Sequence, residues 1–192
     1  MAEIWTIVEH GNGEVTKPSL QALTAARTLA PALGHETAAV FLGTGYDAVK
    51  ERLGAYGAGK VYVAESDDLE SYLVQPAVDV LAKLVEERQP AAILLPSVPS
   101  AKDVAAALGA KLGAGVLADV VGIETEGDRL VCTMAVFGGA VNTRCRVKGS
   151  PQIVLVKPNS FVAEEAPGEL TEERVEVSVS DDAKRAQVIE RV

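Results

Sequence analysis

Two hydroxyls and one ammonium group, from Ser97, Ser100 and Lys102, are the side chains best placed to bind a ligand. They lie in loop 96–102, which follows the apolar run Ala91–Leu95 and precedes a helical pattern. In open α/β sheets strand C-termini and helix N-termini converge on ligands, and a helix N-terminus attracts phosphate. This loop is therefore a candidate nucleotide site.

The composition of the same loop favours a different interpretation, a stiff loop that only caps a helix. The loop has no glycine to let a phosphate approach the backbone, and its two prolines remove N–H donors. In this interpretation Ser100 caps the helix, and Asp103 adds negative charge to its first turn.

A second glycine-containing turn, Gly43-Thr44-Gly45, lies between a predicted strand and a predicted helix. The dinucleotide fingerprint G-x-G-x-x-G requires a third glycine and follows the first strand of the unit. Here Ala48 occupies the third position and the strand is the second, so we interpret the segment as a tight turn.

The sequence predicts no catalytic residue and no metal site. His10 and His35 lie in predicted turns, and neither has a Cys, His or Asp at ligand spacing. A nucleophile elbow, a Walker loop and an HExxH motif do not occur in the 192 residues.

The net charge of −9 argues against a nucleic-acid-binding protein and against a protein of anionic membrane surfaces, because both need basic surfaces. No segment approaches the roughly 18 uninterrupted apolar residues that a membrane span needs. The N-terminus does not resemble a signal peptide. We therefore expect a cytoplasmic protein without membrane insertion.

The first half of the chain alternates strands with helices. The predicted strands are Ile4–Val8, Thr37–Leu42, Lys60–Ala64 and Ala91–Leu95, and the predicted helices begin near residues 17, 46, 71 and 100. Near-continuous apolar strands in this alternation are typical of a mostly parallel sheet with helices on both faces. We expect Ala91–Leu95 to be a central strand.

After Gly115 four strand-like runs follow one another without a helix. They are Val116–Thr125, Leu130–Val136, Val141–Val147 and Gln152–Val156, and we interpret them as an antiparallel extension at the edge of the sheet. A hairpin turn at Gly138-Gly139 would place Cys132 opposite Cys145. Without a CxxC spacing to lower either pKa, we expect two reduced thiols.

The chain becomes acidic and turn-rich beyond Pro158. Residues 164–192 contain nine acidic and four basic residues, and a late strand is predicted at Arg174–Val179, with fraying from Asp181 onward. We therefore divide the chain into a domain, residues 1–160, and an acidic linker or arm, residues 161–192.

Several stretches resemble the N-terminal domain of the electron-transfer flavoprotein alpha subunit. They are IVEHGNGEV, SLQALTAARTLA, LGAYGAGKVYVAE, QPAVDVLAKLVEERQPAAILLPS, AAALGAKLGAGVLADVVGIE and VFGGAVNTRCRVKGSPQIVLVKP. The resemblance runs in order from about Ile4 to Pro158. It implies a Rossmann-like, adenine nucleotide alpha hydrolase-like fold.

The resemblance also implies a heterodimer with a beta subunit. In that family one FAD carries electrons from acyl-CoA and other dehydrogenases to a quinone reductase or another acceptor, and the beta subunit holds AMP. The FAD lies mainly in a C-terminal domain of the alpha subunit that has no counterpart here. We therefore expect a truncated subunit that holds no FAD by itself, and no AMP at loop 96–102.

Three functions remain in competition. The first is an electron-carrier subunit domain that is structural and pairs with the beta subunit. The second is a stand-alone adenine-nucleotide-binding protein, for which Ser97, Ser100 and Lys102 are the candidate ligands. The third, an oxidoreductase with a nicotinamide cofactor, is disfavoured by the missing fingerprint.

Overall fold

One nine-stranded sheet forms the centre of the computed structural model, which describes residues 2–190. The strands are β1 (Glu3–Val8), β2 (His10–Gly11), β3 (Glu14–Val15), β4 (Glu36–Gly43), β5 (Lys60–Glu65), β6 (Ala92–Pro96), β7 (Val116–Glu126), β8 (Arg129–Val136), β9 (Val141–Cys145), β10 (Gln152–Val156) and β11 (Thr171–Arg174). The helices are α1 (Lys17–Leu33), α2 (Tyr46–Ala55), α3 (Asp68–Ser71), α4 (Gln75–Arg88) and α5 (Pro99–Leu112). Short 3-10 turns lie at Phe137–Gly139 and Asp182–Lys184.

The sheet has the order β11-β5-β4-β1-β6-β10-β7-β8-β9, and β2 pairs with β3 in a separate small hairpin. The seven strands from β11 to β7 are mutually parallel, whereas β8 is antiparallel to both β7 and β9. The predicted α/β, Rossmann-like class is confirmed, and β6 is central as predicted. The strand order reverses direction between β1 and β6, where ligands bind in folds of this class.

Both faces of the central strands are buried, which explains their continuous apolar sequences. One face packs against α1, with Ile4, Leu94 and Val154 among its buried residues. The other face packs against α4 and α5, through residues that include Trp5 and Ile153. Helices on both faces are therefore confirmed.

Local signals set the ends of α1 as predicted. The Thr16 side chain accepts a hydrogen bond from the backbone N–H of Ser19 (3.4 Å), and Pro18 lies in the first turn. Gly34 ends the helix in the left-handed conformation, with φ 64°.

The helix predicted from about Ser71 to Glu87 begins later, at Gln75, and a separate short helix, α3, precedes it. α3 ends at Ser71, the chain is extended at Tyr72, and α4 begins at Gln75. Pro76 explains the new start, because proline lacks an N–H and fits the first turn of a helix.

The antiparallel extension consists of β7, β8 and β9 only. Gln152–Val156, predicted to belong to it, instead lies between β6 and β7 and is parallel to both. The predicted register of the hairpin is confirmed, since Cys132 is opposite Cys145. The connection is longer than the predicted two-residue turn, because β8 ends at Val136 and β9 begins at Val141.

The acidic segment from Pro158 to Glu190, which we call the strap, runs over the surface of the domain. Its strand lies at Thr171–Arg174, not at the predicted 174–179, and pairs in parallel with β5. The predicted fraying from Asp181 is wrong for the residues described, since Ala183 is buried and the backbone N–H of Val188 donates to the carbonyl of Ser71 (2.8 Å). Met1 and residues 191 and 192, the outer ends of the predicted domain and arm, lie outside the described residues.

Candidate functional site

A crevice of about 140 Å³ opens where the strand order reverses, at the carboxyl ends of β1 and β6. Glu9, His10, Glu70 and Ser100 provide its polar groups. Its apolar lining includes Ile7, Leu42 and Leu95. The fold thus places loop 96–102 beside the position where a ligand is expected.

Ser100 does not cap α5, contrary to the prediction. The N-cap residue is Val98, whose side chain makes no capping hydrogen bond, and Ser100 lies within the first turn. The Ser100 hydroxyl donates to the Glu9 carboxylate, with distances of 2.9 and 2.8 Å to its two oxygens. Asp103 lies beyond the first turn, which contains no acidic residue.

Ser97 and Lys102 converge on a different carboxylate, that of Asp119 in β7. The Ser97 hydroxyl donates to Asp119 Oδ1 (2.7 Å), and Lys102 Nζ lies 2.9 and 3.0 Å from the two carboxylate oxygens. The hydrogen bond from Ser97 and the one from Lys102 lower the pKa of Asp119. The three predicted residues therefore lie together at one helix N-terminus, but they contact two different acids.

The turn at Gly43–Gly45 is also completed by a carboxylate. Gly45 has φ 78° before α2, and the first N–H of that helix, from Tyr46, donates to Glu65 Oε1 (2.9 Å). Arg174 of β11 binds the other oxygen of Glu65. The Tyr46 hydrogen bond is the main reason why the pKa of Glu65 lies below its usual value.

A carboxylate therefore lies at each of the two helix N-termini: Glu65 accepts the first N–H of α2, and Glu9 accepts the Ser100 hydroxyl in the first turn of α5. A phosphate there would have to displace Glu9 or Glu65, or lie beside its negative charge. The crevice is also smaller than the roughly 300–1,000 Å³ of ordinary ligand pockets. The arrangement of these residues does not fit a dinucleotide.

Neither histidine belongs to a metal-binding cluster in the part of the chain from residue 2 to residue 190. His10 stacks on Phe41 with ring centroids 4.3 Å apart, and its Nε2 lies 3.0 Å from the carbonyl of Leu42. Across residues 2–190, no group of three His, Cys, Asp or Glu side chains is arranged to hold a metal ion. None of the helices in these residues is long and apolar enough to cross a membrane.

Sequence reasoning missed the three acids Glu9, Glu65 and Asp119 as partners of the predicted loops. A signal for two of them was present, since Glu9 directly follows β1 and Glu65 ends β5. Carboxyl ends of parallel strands meet at one edge of a sheet, so both acids had to face the helix N-termini. Asp119 carries no such signal, because it lies inside β7 at φ 56°.

Comparison with known proteins gives a consistent set of similarities. The chain matches the family model described as "Electron transfer flavoprotein domain" over residues 4–183. It is 39% identical over 188 residues to "Electron transfer flavoprotein subunit alpha" of Mycobacterium tuberculosis. The aligned residues make up 97% of this chain and 56% of that protein. The Mycobacterium leprae protein of the same name is 39% identical over 191 residues, which are 98% of this chain and 57% of that protein.

A more distant similarity is to "Protein FixB" of Clostridium saccharobutylicum, which is 30% identical over 191 residues, with 97% of this chain and 57% of that protein covered. The chain thus spans about half the length of the curated relatives it matches.

Proposed function

This chain belongs to the electron transfer flavoprotein family, and we propose that it is the N-terminal domain of an alpha subunit. Residues 1–160 are the domain in this proposal, and residues 161–192 are the arm that leads toward an FAD-binding domain. Relatives named as alpha subunits are nearly twice as long as this chain, which leaves room for such a domain.

The proposed role of the domain is structural. It pairs with a beta subunit and supports the FAD-binding part of a cytoplasmic electron carrier, and it has no catalytic residues of its own. The complete protein takes electrons from dehydrogenases of the acyl-CoA type and passes them to a quinone reductase or another acceptor. AMP, in this proposal, binds only to the beta subunit.

The observation that carries this proposal is the presence of the protein's own acids beside both helix N-termini. Glu9 accepts from Ser100, and Glu65 accepts from the first N–H of α2. A carboxylate beside a helix N-terminus reduces the positive potential that would attract a phosphate. The flavin is therefore expected to bind outside this chain.

The test is to purify the chain alone and together with the beta subunit of the same organism. The expected result is a one-to-one complex, with no flavin absorbance for the chain alone and a flavin spectrum once the FAD-binding domain of an alpha subunit is attached to it. Stoichiometric FAD on the isolated chain would contradict the proposal.

A second candidate, a stand-alone adenine-nucleotide-binding protein, is favoured only by the position of Ser97, Ser100 and Lys102 beside the crevice. Calorimetry with AMP, ADP and ATP distinguishes the two functions. We expect no heat of binding when any of the three nucleotides is added at millimolar concentration. Binding that Lys102→Ala abolishes would favour the second candidate, and a change in NADH fluorescence would favour a nicotinamide-dependent oxidoreductase.

A further inference from the structure

The two cysteines of the chain lie directly opposite each other in the β8–β9 hairpin. Cys132 of β8 pairs with Cys145 of β9, so both side chains are on the same face of the sheet. Both thiols are free in the structure. Because the chain has two cysteines in all, an internal disulfide can join only this pair.

The backbone of the hairpin has the dimensions that a disulfide needs. Opposite residues of an antiparallel ladder have Cα atoms about 4.5 or about 5.5 Å apart, depending on whether the pair is hydrogen-bonded. Disulfides join Cα atoms that are roughly 4.4–6.8 Å apart, a range that includes both kinds of pair. Oxidation of Cys132 and Cys145 therefore needs rotation of the side chains and no rearrangement of the strands.

The two thiols also influence each other electrostatically. Burial is the main reason why the pKa of Cys132 is raised, and the nearby Cys145 thiol is the second. A neighbouring negative charge has this effect because it disfavours a second thiolate. The Cys145 thiol lies 3.8 Å from the hydroxyl of Thr143, two residues earlier on the same face of β9. The sulfur atoms are thus neighbours on one face.

The two cysteines differ in their access to solvent. Cys132 is fully buried in the cluster that packs on α1, with Leu130 and Ile123 beside it. Cys145 is half-buried, on the edge strand of the sheet. An oxidant in solution therefore reaches Cys145 first, and Cys132 is placed to react with its neighbour. An accessible cysteine next to a resolving cysteine is the arrangement of thiol redox sensors.

We propose that Cys132 and Cys145 form a redox-sensitive staple, which closes between β8 and β9 when the chain meets a small-molecule disulfide such as oxidised glutathione. The inference goes beyond the proposed function and does not depend on a beta subunit, so the two can fail separately.

The staple closes in two exchange steps. The Cys145 thiolate attacks one sulfur of oxidised glutathione, the S–S bond breaks, and one glutathione leaves as a thiolate that takes up a proton. Cys132 then loses its proton to solvent, and its sulfur attacks that of Cys145. The second glutathione leaves as a thiolate and is protonated in turn. Two protein thiols are thus oxidised, and one glutathione disulfide is reduced to two thiols.

Proximity offsets the raised pKa of Cys132 in the second step. With a pKa of about 12, roughly one Cys132 in ten thousand is a thiolate at pH 8. Well-oriented groups within one molecule react as if their concentration were about 10⁵ M or more. The gain from the opposed positions of the two cysteines therefore exceeds the loss that burial causes.

The closed staple is expected to fasten the edge of the sheet. β9 is the outermost strand, and its residues Val141, Asn142 and Arg144 are exposed. A disulfide between residues 132 and 145 restricts the unfolded chain and holds β9 to β8. The oxidised chain should therefore have a firmer edge strand than the reduced chain.

The experiment treats the folded 192-residue chain with oxidised glutathione at pH 8 and measures its mass. The expected result is a monomer lighter by two hydrogen atoms that carries no glutathione and returns to its original mass in dithiothreitol. Trypsin cuts after Arg129, Arg144 and Arg146, so the staple should link peptide 130–144 to peptide 145–146. Hydrogen exchange in β9 should slow about tenfold upon oxidation, and the melting temperature should rise.

Two variants separate the roles of the cysteines. Cys132→Ala is expected to retain one glutathione on Cys145, because no second thiol remains to displace it. Cys145→Ser is the matched control and should take up no glutathione, because Cys132 is shielded from solvent. Melting temperatures in dithiothreitol that match the wild type show that both variants are folded.

Four results would overturn the inference. They are a wild-type chain that does not react, one that keeps glutathione as a stable mixed disulfide, one that forms disulfide-linked dimers, and one that closes the disulfide only in urea. A lower melting temperature of the oxidised chain would overturn the stiffening of the edge strand.

Discussion

At the scale of single residues, three acids determine the character of the sheet's carboxyl edge. Glu9, Glu65 and Asp119 accept from a hydroxyl, a helix N–H and an ammonium group, which are the donors that nucleotide sites use for phosphate. Each donor is thus already satisfied within the domain. The edge has the strand and helix geometry of a nucleotide site, but its donors bind the domain's own carboxylates.

Replacing Glu65 by Gln tests whether the charge of Glu65 stabilises the domain, because the effect of the substitution should depend on pH. The pKa of Glu65 is lowered on folding, so its contribution to stability is present above the unfolded pKa and is lost as the pH falls through the folded one. We expect Glu65→Gln to lower the free energy of unfolding by about 1 kcal/mol at pH 7 and by less at pH 3. Urea unfolding followed by the fluorescence of Trp5, the single tryptophan, measures both values.

The control for that experiment is Glu51→Gln, an exposed position on the helix that Glu65 caps, which should not change stability at either pH. A Glu65→Gln deficit that stays constant between pH 7 and pH 3 would show that the charge of Glu65 has no role.

The two cysteines are expected to react at different rates. Burial, with Cys145 as a smaller cause, raises the pKa of Cys132 to about 12, so roughly one molecule in ten thousand is a thiolate at pH 8. Iodoacetamide should therefore label the half-buried Cys145 first and Cys132 only upon unfolding. Peptide mass spectrometry gives both rates, and rapid labelling of both in urea is the control. Equal rates in the folded chain are the contrary outcome.

At the scale of elements, most strands could be located from the sequence. β1, β4, β5 and β6 are buried on both faces, so each is an apolar run bounded by turn residues or acids. The position of β10 in the sheet could not be predicted, because a short apolar run has the same pattern at an edge and at the centre. The break before α4 was hidden, since Leu73, Ala77 and Val80 keep helical spacing across it.

The candidate site was predictable only in part, because a local sequence pattern locates its residues but not their partners. The strand–loop–helix pattern correctly located Ser97, Ser100 and Lys102 beside the crevice. Their partners are remote in sequence: Glu9 is 91 residues from Ser100, and Asp119 is 22 residues from Ser97. Local patterns carry no information about such pairs, and these pairs decide whether the donors are free.

The end of α4 offers a stabilising substitution. Gln89 follows the helix in the left-handed conformation (φ 51°) and is exposed. Glycine adopts this conformation without strain, so we expect Gln89→Gly to raise the free energy of unfolding by about 0.5–1 kcal/mol. Thermal unfolding measures the shift. Glu87→Gly, two residues earlier in the last turn, is the control and should cost about 1 kcal/mol; a loss of stability in both variants would refute the assignment of the helix end.

At the scale of the whole molecule, hydrogen bonds tie the start of the strap to α1. The Gln21 side chain on α1 donates to the carbonyl of Phe161 and accepts from the N–H of Asn159, and Thr24 accepts from the N–H of Glu164. The acidic composition of the strap predicted a linker because its basic partners lie elsewhere in the sequence. Glu176 of the strap, for example, pairs with Lys83 on α4.

Gln21→Ala is expected to loosen the strap without disturbing the central sheet. Gln21 is only 3% exposed, and its loss leaves two backbone groups without partners, so the free energy of unfolding should fall by about 2 kcal/mol. Hydrogen exchange should accelerate at residues 159–164 and not in β6. Gln75→Ala, at an exposed position, is the control. Unchanged exchange in the strap would mean that Gln21 does not fasten it.

The place of β10 between β6 and β7 has a consequence for how the chain is made. A ribosome releases β7, β8 and β9 before β10, so the emerging hairpin has no strand to join it to the finished half of the sheet. Only when Gln152–Val156 leaves the exit tunnel can the two halves close around it, because long-range parallel pairing needs all its partners. The edges of β6 and β7 that β10 covers therefore stay unpaired until the last strand of the central sheet has emerged.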